Sequence, residues 1–402
     1  MSKVPKLRFP EFEGEWEEKE LGEVGEFIGG GTPNTSIPEY WDGEISWYTP
    51  TEIKEDTYLL KESRRKITEL GLKSSSAKLL PKGSVLITTR ATIGDVAIVN
   101  KPCATNQGFQ SLVVKENQIN RFWFYWIIKN RELLIKKASG STFKEIAKNE
   151  IIKIGTIVPQ EEEQQKIADC LSSLDELIEA RKEKIASLKA YKKGLLQQLF
   201  PDKVSKSTPP PPLIFNKLPK LRFIGFEGEW EEVTIESIFK ITRGNVLPMT
   251  LLKQEYSKEY PYPVYSSQTK NNGLAGYYNE FLYENAITWT TDGANAGEVN
   301  YRKEKFYCTN VCGVLISEKG YANKCIAELI NSVSKSYVSY VGNPKLMNGV
   351  MGSIKIQIPT EQKEQQKIAD CLLSLDEKIA AETEQVAQLQ QHKKGLLQQL
   401  LV

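Results

Sequence analysis

The chain contains one segment twice, almost unchanged, and this repeat limits the possible folds more than any other feature of the sequence. EQQKIADCLSSLDE starts at Glu163 and EQQKIADCLLSLDE starts at Glu364, and each copy leads into KKGLLQQL. A second repeated pair opens each half of the chain, with PKLRFPEFEGEWEE starting at Pro5 and PKLRFIGFEGEWEE starting at Pro219. Repeated segments around dissimilar stretches predict a duplicated frame that carries two different inserts.

The two inserts differ in length as well as in sequence. The opening segments are 214 residues apart (219 − 5) and the later segments are 201 apart (364 − 163), so the first insert is 13 residues longer. A chain of 402 residues is expected to form two or three domains, and 40% hydrophobic residues are enough for a core in each half. We therefore expect one globular domain in each half.

Charge and cysteine content place few limits on the partners. The formal net charge is +2, although a nucleic-acid binder often carries its positive charge as a local patch. We find no apolar signal sequence and no run of the ~18 apolar residues that a membrane span needs, so we expect a cytoplasmic protein with reduced thiols and no membrane partner. Cys308 and Cys312 form a CxxxC pair, but the only histidine, His392, is distant, which argues against a zinc site.

The later repeated segments carry a heptad pattern that predicts two long helices. Their apolar residues recur at alternating steps of four and three, as at the a and d positions of a coiled coil. These seam residues are Ile167, Leu171, Leu174, Ile178, Ile185, Leu188, Leu195 and Leu199 in the first helix, and Ile368, Leu372, Leu375, Ile379, Val386, Leu389, Leu396 and Leu400 in the second. Arg181 and Lys192 interrupt the first seam, and Glu382 and Lys393 interrupt the second at matching positions.

The matched seams predict that the two helices pack on each other as an antiparallel pair, with the two halves of the chain related by a pseudo-twofold axis. Arg181 and Glu382 would then approach one another near the middle of the pair. The alternative is two separate amphipathic helices, each on its own domain. Gly194 and Gly395 cost about 1 kcal/mol each relative to alanine inside a helix, which close helix–helix contact or a local helix end would explain.

The inserts are predicted to be rich in β-strands, which gives an α+β fold with two globular α/β domains joined by the helices. Residues 83–99 and 285–299 each contain two β-rich runs separated by a turn, and residues 121–137 are predicted to form a helix that packs on the sheet. The predicted domains are 1–158 and 218–358, with helices at 159–200 and 359–402. Residues 201–217, which include four consecutive prolines, are predicted to form an extended linker.

Polar segments of the inserts have the chemistry of nucleic-acid contacts. Residues 61–83 hold seven basic and two acidic side chains, a balance that suits phosphate contact. In the second insert, residues 243–245 and 265–273 are rich in amides, which pair with adenine edges, as arginine does with guanine. Taken alone, each segment also fits a solvated loop, so the argument for DNA depends on their place in a duplicated frame.

Motifs of catalysis are absent from the sequence. There is no GxxxxGK[ST] phosphate loop, no G-x-S-x-G nucleophile elbow and no glycine-rich S-adenosylmethionine loop with Asn-Pro-Pro-Tyr. With one histidine, acid–base chemistry would rest on carboxylates that no motif singles out. The sequence predicts a non-enzymatic recognition subunit.

The chain resembles the specificity subunits of Type I restriction–modification systems. The resemblance rests on the openings at Pro5 and Pro219, the two repeated helices, and the TNQGF segment at residues 105–109, and it spans nearly the whole chain. It implies that each insert is a target recognition domain for one half of a bipartite, asymmetric DNA sequence. It also implies that the helices set the spacing between the half-sites.

The same resemblance implies partners that do the chemistry. Two modification subunits, which bind S-adenosylmethionine and methylate adenine, would dock on the frame, and two restriction subunits that use ATP and Mg would join them. No cofactor is expected in this chain itself.

The resemblance does not identify the residues that contact bases, so we select candidates by residue type and position. In the first insert they are Arg64, Arg65, Lys73, Lys78, Thr89, Arg90, Asn106 and Gln107. In the second insert they are Arg243, Asn245, Ser267, Gln268, Lys270, Asn271, Asp292, Asn295, Asn310 and Lys345. Arg90 also fits a charge at a sheet edge, and Asp292, chosen as an acceptor from cytosine, also fits a turn.

Two other functions fit the same sequence. One is a coiled-coil interaction scaffold with two β-rich protein-binding domains and no role in DNA binding. The other is a nuclease or methyltransferase whose site no motif reveals.

Overall fold

The computed structural model describes residues 3–54, 58–60, 62–140, 144–202, 216–267 and 270–402. Within these ranges the chain divides into two compact units. Unit 1 comprises Met1–Glu183 and Thr383–Val402, and unit 2 comprises Lys184–Glu382. Each unit therefore joins a globular part to one segment of each long helix. The predicted linker at 201–217 falls mostly outside the described residues.

Unit 1 begins with short strands and helices. Its strands are β1 (Glu17–Glu20), β2 (Gly25–Gly29), β3 (Trp41–Tyr48), β4 (Leu59–Leu60), β5 (Arg65–Ile67), β6 (Val85–Ile87), β7 (Val96–Val99), β8 (Cys103–Thr105), β9 (Gln110–Val114) and β10 (Gly155–Val158). Its helices are α1 (Leu21–Val24), α2 (Glu69–Lys73), α3 (Asn120–Lys129), α4 (Arg131–Lys137), α5 (Lys148–Ile152) and the start of α6 (Glu161–Leu199). The described strands pair as a five-stranded sheet in the order β2-β9-β6-β7-β4, a three-stranded sheet β5-β3-β8, and the pair β1-β10.

Unit 2 has a similar arrangement. Its strands are β11 (Glu231–Thr234), β12 (Lys240–Arg243), β13 (Tyr262–Tyr265), β14 (Leu274–Tyr278), β15 (Ala286–Thr290), β16 (Val299–Arg302), β17 (Tyr307–Cys308), β18 (Cys312–Ile316) and β19 (Lys355–Ile358). Its helices are α7 (Ile235–Ile238), α8 (Lys324–Ser334), α9 (Asn348–Ser353) and the start of α10 (Gln362–Leu400). Among its described residues, a four-stranded sheet runs β12-β18-β15-β16, a three-stranded sheet runs β14-β13-β17, and β11 pairs with β19.

Each globular core includes the start of one long helix and the end of the other. In unit 1, Ile167 and Leu171 of α6 and Leu400 of α10 join the cluster formed by the sheet and the apolar residues of α3. In unit 2, Ile368 and Leu372 of α10 lie in the cluster that also holds Leu199 at the end of α6. Burying such side chains stabilises each attachment by about 1.5–3 kcal/mol per residue.

The α+β class, the two β-rich globular parts and the two long antiparallel helices are confirmed. In unit 1, Lys393 of α10 contacts Asp175 of α6 at 2.5 Å, and Arg181 donates a hydrogen bond to Gln385. From the first contact to the second, the residue number rises along α6 and falls along α10, so the two helix segments run antiparallel. Unit 2 shows the same order, with Lys184 on Glu382 and Lys192 on Asp376. Both helices contribute to each unit, which excludes two helices that each lie on a separate domain.

The seam residues form the less exposed face of each long helix. Leu174, Ile185, Leu188, Ile379 and Leu389 are half-buried, and the positions between them are mostly exposed. Ile178, Leu375 and Val386 are buried. The approach of Arg181 to Glu382 stays a prediction, because these two residues belong to different units.

Two local predictions were wrong. Residues 121–137 form two helices, α3 and α4, because the backbone leaves helical geometry at Asn130 (φ −98°, ψ 18°). At Gly194 and Gly395 the helices continue, and a Cβ added at either glycine would meet no atom within 4 Å. Neither a helix end nor close packing therefore explains these glycines. None of the described helices is long and apolar enough to cross a membrane.

Candidate nucleic-acid interface

A buried arginine–glutamate pair attaches the opening segment of each unit to the start of a long helix. In unit 1, Arg8 donates from Nε and Nη2 to both carboxylate oxygens of Glu163, at 2.8 Å each. In unit 2, Arg222 makes the same two bonds to Glu364, at 2.7 and 2.8 Å. The two glutamates are 2% and 1% exposed, and bidentate pairs of this kind fix direction as well as distance. We call these pairs the arginine–glutamate anchors.

The lysines that interrupt the heptad seams form ion pairs inside each unit. In unit 1, Lys393 binds Asp175, and the other oxygen of Asp175 accepts a hydrogen bond from the Tyr125 hydroxyl at 2.6 Å. In unit 2, Lys192 binds Asp376 at 2.6 Å and Glu328 at 3.0 Å. A seam position that contacts a carboxylate favours lysine over leucine, which explains the interruptions.

A second lysine completes a four-membered charge network in unit 2. Lys324 lies 2.9 Å from Glu328 and 2.8 Å from Asp376. Burial alone would raise the pKa of both carboxyls, but Lys324 and Lys192 outweigh it and hold both pKa values below the ordinary range. The network therefore keeps both carboxylates ionised near the helix pair.

The basic segment of unit 1 lies on β5, on α2 and in the chain beyond α2. Arg65 is exposed, and its guanidinium lies over the Trp41 ring at 3.5 Å. Arg64 is exposed, and its backbone N–H donates to Glu52 at 2.8 Å. Lys73 and Lys78 are also exposed, with Lys73 at 3.5 Å from Glu69. These cations face solvent as phosphate contacts require, whereas Lys61 lies outside the described residues.

The other unit 1 candidates lie where strands β6 and β8 end. Thr89 is 1% exposed, and its backbone bonds Gly108 and Ile146 at 2.8 and 3.2 Å. Its neighbour Arg90 is exposed and binds Glu145 at 2.8 Å. Asn106 accepts from the Gly108 N–H at 2.9 Å, and Gln107 accepts from the Thr32 hydroxyl at 2.6 Å. Arg90 and Gln107 are thus the exposed side chains of this group.

Several unit 2 candidates also lie on loops that contact one another. Asn295 donates to the Ser267 carbonyl at 3.4 Å, which joins two candidate loops. Arg243, Asn245 and Asn310 are exposed, and Asn245 forms a bridge with Thr309, the neighbour of Asn310. Gln268 lies outside the described residues, as does the side chain of Lys270.

Asn271 occupies a backbone conformation that a buried arginine supports. Asn271 and Asn272 have φ values of 51° and 53°, which side chains other than glycine adopt at a cost. Arg302, 7% exposed, donates to the Asn272 carbonyl at 2.6 Å and lies over the Tyr265 ring at 3.5 Å. The loop that presents Asn271 is thus held from inside the unit.

Asp292 and Lys345 form a contact that has a reversed counterpart in unit 1. Lys345 lies 3.9 Å from Asp292, and the two residues form an isolated β-bridge. In unit 1 the matching bridge joins Arg90 to Glu145. In unit 1 the cation, Arg90, follows the central strand β6, and the anion, Glu145, lies in a later loop. In unit 2 the anion, Asp292, follows strand β15, and the cation, Lys345, lies in the later loop. We call these two contacts the reversed ion pairs.

The described residues offer hydrogen-bond donors and acceptors but no evident metal site. No described group of three or more His, Cys, Asp or Glu side chains is placed to hold a metal ion. Burial raises the pKa of the Cys312 thiol to about 11, which disfavours the thiolate that a metal would need. What these loops can do chemically is to bind a polar, charged surface.

Sequence reasoning missed several residues that contact the candidate residues or lie beside them. They are Thr32, Trp41, Glu52, Glu145, Arg302, Tyr340 and Val341. Glu145 lacks any local signal, since only its pairing with Arg90 distinguishes it from other surface glutamates. Tyr340 and Val341 had one: an aromatic and a β-branched residue directly before Gly342-Asn343-Pro344, a turn sequence.

Comparison with known proteins identifies the family to which the chain is similar. The family described as "Type I restriction modification DNA specificity domain" matches residues 13–190 and again 227–391. The Type I restriction enzyme MjaIX specificity subunit of Methanocaldococcus jannaschii is 29% identical over 100% of this chain and 94% of its own length. The EcoprrI specificity subunit of Escherichia coli is 25% identical over 86% of this chain and 84% of its own length.

A solved structure supports the fold. A Type I restriction–modification S subunit from M. genitalium covers 99% of both chains with a TM-score of 0.63 and 16% identity. At that identity the likeness concerns the fold, in which two globular parts accompany two long helices. The double match of the family, one in each half, coincides with the repeated contacts of the two units, and the chain belongs to the Type I restriction–modification DNA specificity family.

Proposed function

We propose that this chain is the subunit that selects the DNA target of a Type I restriction–modification complex, with no catalytic site of its own. Each globular part, predicted as residues 1–158 and 218–358, would be a target recognition domain for one half of a bipartite, asymmetric sequence. The observation that carries this proposal is that the two units share the contacts of the frame and differ in the contacts of the loops. The arginine–glutamate anchors are the same in both units, and the reversed ion pairs differ in polarity.

The candidates that reach solvent would divide between phosphate contacts and base contacts. Arg64, Arg65, Lys73 and Lys78 suit phosphates, since phosphate contacts come mainly from exposed cations. Arg90, Gln107, Asn271 and Asp292 suit base edges, since their groups match guanine, adenine or cytosine patterns in the major groove. Thr89 is the weakest of the candidates because its side chain is buried.

The two long helices would act as a spacer and as a docking surface. A spacer between two readers makes half-site separation a geometric quantity of about one duplex turn, or ~34 Å. We further propose that two modification subunits, with S-adenosylmethionine, dock on the repeated frame, and that two restriction subunits, with ATP and Mg, join them. A cytoplasmic location stays a prediction.

A change in helix length tests the spacer. Removing one heptad from both helices shortens each by about 10 Å, at ~1.5 Å per residue, which corresponds to about three base pairs. The chain would be co-expressed with its modification partner, and methylated adenines would be mapped in the genome. We expect the same two half-sites with a shorter gap; an unchanged gap would contradict the spacer role.

DNA binding across ionic strengths separates the other functions. A specificity subunit with its modification partner should lose affinity for DNA steeply as the salt concentration rises, because Lys and Arg side chains that bind phosphates displace counterions. A protein-interaction scaffold would bind no DNA, and methyl transfer by this chain alone would indicate an enzyme. A variant with Arg64, Arg65, Lys73 and Lys78 replaced by glutamine should show a shallower salt slope than the natural chain.

A further inference from the structure

Residues 339–345 of unit 2 form a tight hairpin with an exposed apolar tip. The backbones of Ser339 and Lys345 exchange two hydrogen bonds of 2.9 Å, and Gly342 turns the chain with a φ of 78°. At the tip, Tyr340 is 71% exposed and Val341 is 92% exposed. The two side chains are adjacent and form a small exposed apolar patch, and contiguous apolar patches mark binding sites where single scattered apolar residues do not.

The hairpin is fixed to the candidate loop that follows strand β15. Gly293 donates its N–H to the Pro344 carbonyl at 2.9 Å, and Leu346 donates to the Thr291 carbonyl at 2.9 Å. The buried Trp289 indole donates to the Leu346 carbonyl at 3.0 Å. Together with the Asp292–Lys345 ion pair, these bonds make the hairpin and the 291–293 loop one surface.

Unit 1 has the same hairpin base with different contents. Ser139 and Glu145 exchange two backbone bonds of 2.9 Å, and Ile146 donates to the Thr89 carbonyl at 3.2 Å. In sequence, Gly140 stands where unit 2 has Tyr340, and Glu145 stands where unit 2 has Lys345. The base of the hairpin is therefore common to both units, while the sequence at its tip is not.

This difference bears on what the hairpin contacts. A partner that binds the chain twice would use features that both units share, such as the repeated segments of the long helices. A ligand that differs between the two units would be met by features that differ. Under the proposed function, that ligand is DNA, because the two half-sites have different sequences.

We propose that the 339–345 hairpin is a DNA-contacting element that helps to set the half-site read by unit 2. Tyr340 and Val341 would meet base faces or thymine methyl groups in a groove, which aromatic and aliphatic side chains contact without hydrogen bonds. Asp292 and Lys345 hold the base of the hairpin against the loop that carries the polar readers. The inference rests on the proposed function and adds a specificity element to it.

The test compares a double variant, Tyr340→Ala with Val341→Ala, with the natural chain and a matched control. Tyr256→Ala removes a tyrosine that is 64% exposed in the same unit but lies outside the hairpin. Each chain would be co-expressed with the modification partner for mapping of methylated adenines, and DNA affinity would be measured on the purified complex. Thermal unfolding without DNA checks that the exposed substitutions leave the fold intact.

We expect the double variant to bind DNA about tenfold more weakly and to accept more than one base within a single half-site. The other half-site and the Tyr256→Ala pattern should stay unchanged. An unchanged target and affinity would overturn the hairpin's role, and so would loss of modification-subunit binding in the absence of DNA. Failure of the natural chain to direct methylation to any bipartite target would overturn the proposed function itself.

Discussion

Unit 1 and unit 2 share the contacts that the repeated segments make and differ in the contacts that the insert loops make. Arg8 on Glu163 and Arg222 on Glu364 are nearly the same bidentate pair, with distances that agree within 0.1 Å. Arg90 on Glu145 and Asp292 on Lys345 form at the same bridge with opposite polarity. The position of this contact in the fold is therefore the same in both units, while its cationic and anionic residues are exchanged.

A third pair of contacts falls between these extremes. Lys393 with Asp175 and Lys192 with Asp376 are equivalent, but the third partner is Tyr125 in unit 1 and Glu328 in unit 2. The repeated helices supply the constant members, and the inserts supply the variable ones. In each unit, one hydrogen-bond network therefore contains residues from both the repeated helices and the insert.

The largest expected effect comes from breaking an arginine–glutamate anchor. Arg222→Ala leaves the buried Glu364 without its cation, which should destabilise unit 2 by about 3–5 kcal/mol. Arg8→Ala should cost less, because Glu163 also accepts a hydrogen bond from the Trp16 indole at 3.2 Å, whereas the indole N–H of Trp230 makes no hydrogen bond to the described residues. Urea unfolding of both variants measures the two costs.

Limited proteolysis in the same experiment identifies which unit opens first. Lys217→Ala provides a control, since its ion pair with Glu229 is exposed on both sides. Equal losses for Arg8→Ala and Arg222→Ala would show that the Trp16 hydrogen bond adds nothing.

Acid should destabilise unit 2 through its four-membered charge network. The pKa values of Glu328 and Asp376 are lowered in the fold from 4.5 and 3.8, so the unfolded chain takes up their protons first as pH falls. Their contribution to stability is therefore complete above those values and is lost as pH drops through the folded ones. Melting temperatures recorded between neutral pH and about pH 3 should fall, with unit 2 becoming sensitive to protease first.

The variant Glu328→Gln sharpens this test. It removes one of the two titrating groups, so the acid-induced drop in melting temperature should become smaller than in the natural chain. Glu145→Gln, at a carboxyl that is 45% exposed and lies outside the network, is the matched control. A steeper acid dependence in Glu328→Gln would mean that the network is not its source.

The helices and the duplicated frame could be predicted because their signals can be read from the sequence without knowing which residues meet in space. A heptad seam is read from neighbouring residues, and a repeat is read by comparing the chain with itself. The interruptions at Lys192 and Lys393 could be located but not explained, because their partners Asp376 and Asp175 come from the other helix. The break at Asn130 was missed because apolar residues continue on both sides of it.

The loops were harder to predict because their contacts join distant parts of the chain. Nothing near Arg90 indicates that Glu145 will reach it, since the bridge depends on how a later loop returns to the sheet. Thr89 has the right chemistry for a base contact, yet burial depends on which face of the sheet end the side chain occupies. Residue type therefore predicted which region of the chain forms the candidate site better than it predicted which individual residues are exposed there.

Exchanging the polarity of a reversed ion pair tests whether these contacts read DNA. The double variant Arg90→Glu with Glu145→Arg keeps an ion pair, but it places a hydrogen-bond acceptor at position 90, where the natural chain has a donor. The pair is nearly half exposed, so stability should change by less than about 1 kcal/mol. Binding to the natural target should weaken by about 1–3 kcal/mol if Arg90 contacts a base edge.

The matching exchange in unit 2, Asp292→Lys with Lys345→Asp, should affect the other half-site. Methylation mapping then reports which half-site each exchange alters, and Arg90→Ala alone provides the reference for simple loss of the side chain. Unchanged affinity and target in both exchanges would reduce the reversed ion pairs to a structural role.

The smallest expected effect concerns the two glycines of the long helices. Gly194→Ala and Gly395→Ala should each raise the free energy of unfolding by up to about 1 kcal/mol, because alanine favours the helix and no atom within 4 Å opposes its Cβ. Chemical denaturation measures both, and the comparison predicts equal gains in the two units. Unequal gains would mean that the helices differ in environment despite their shared sequence.

The same two variants also test the proposed docking of modification subunits on the long helices. Each long helix has a destabilising glycine at the same position, and there is open space beside both glycines. This arrangement would suit a surface that the backbone of a partner approaches closely. Alanine should then weaken binding of the modification subunits while the isolated chain becomes more stable. Tyr191→Ala, on an exposed position of the same helix, separates a local effect of the glycine from a general one of the helix surface. If the glycine variants bind the partner as tightly as the natural chain, docking does not involve the helix surface beside these two glycines.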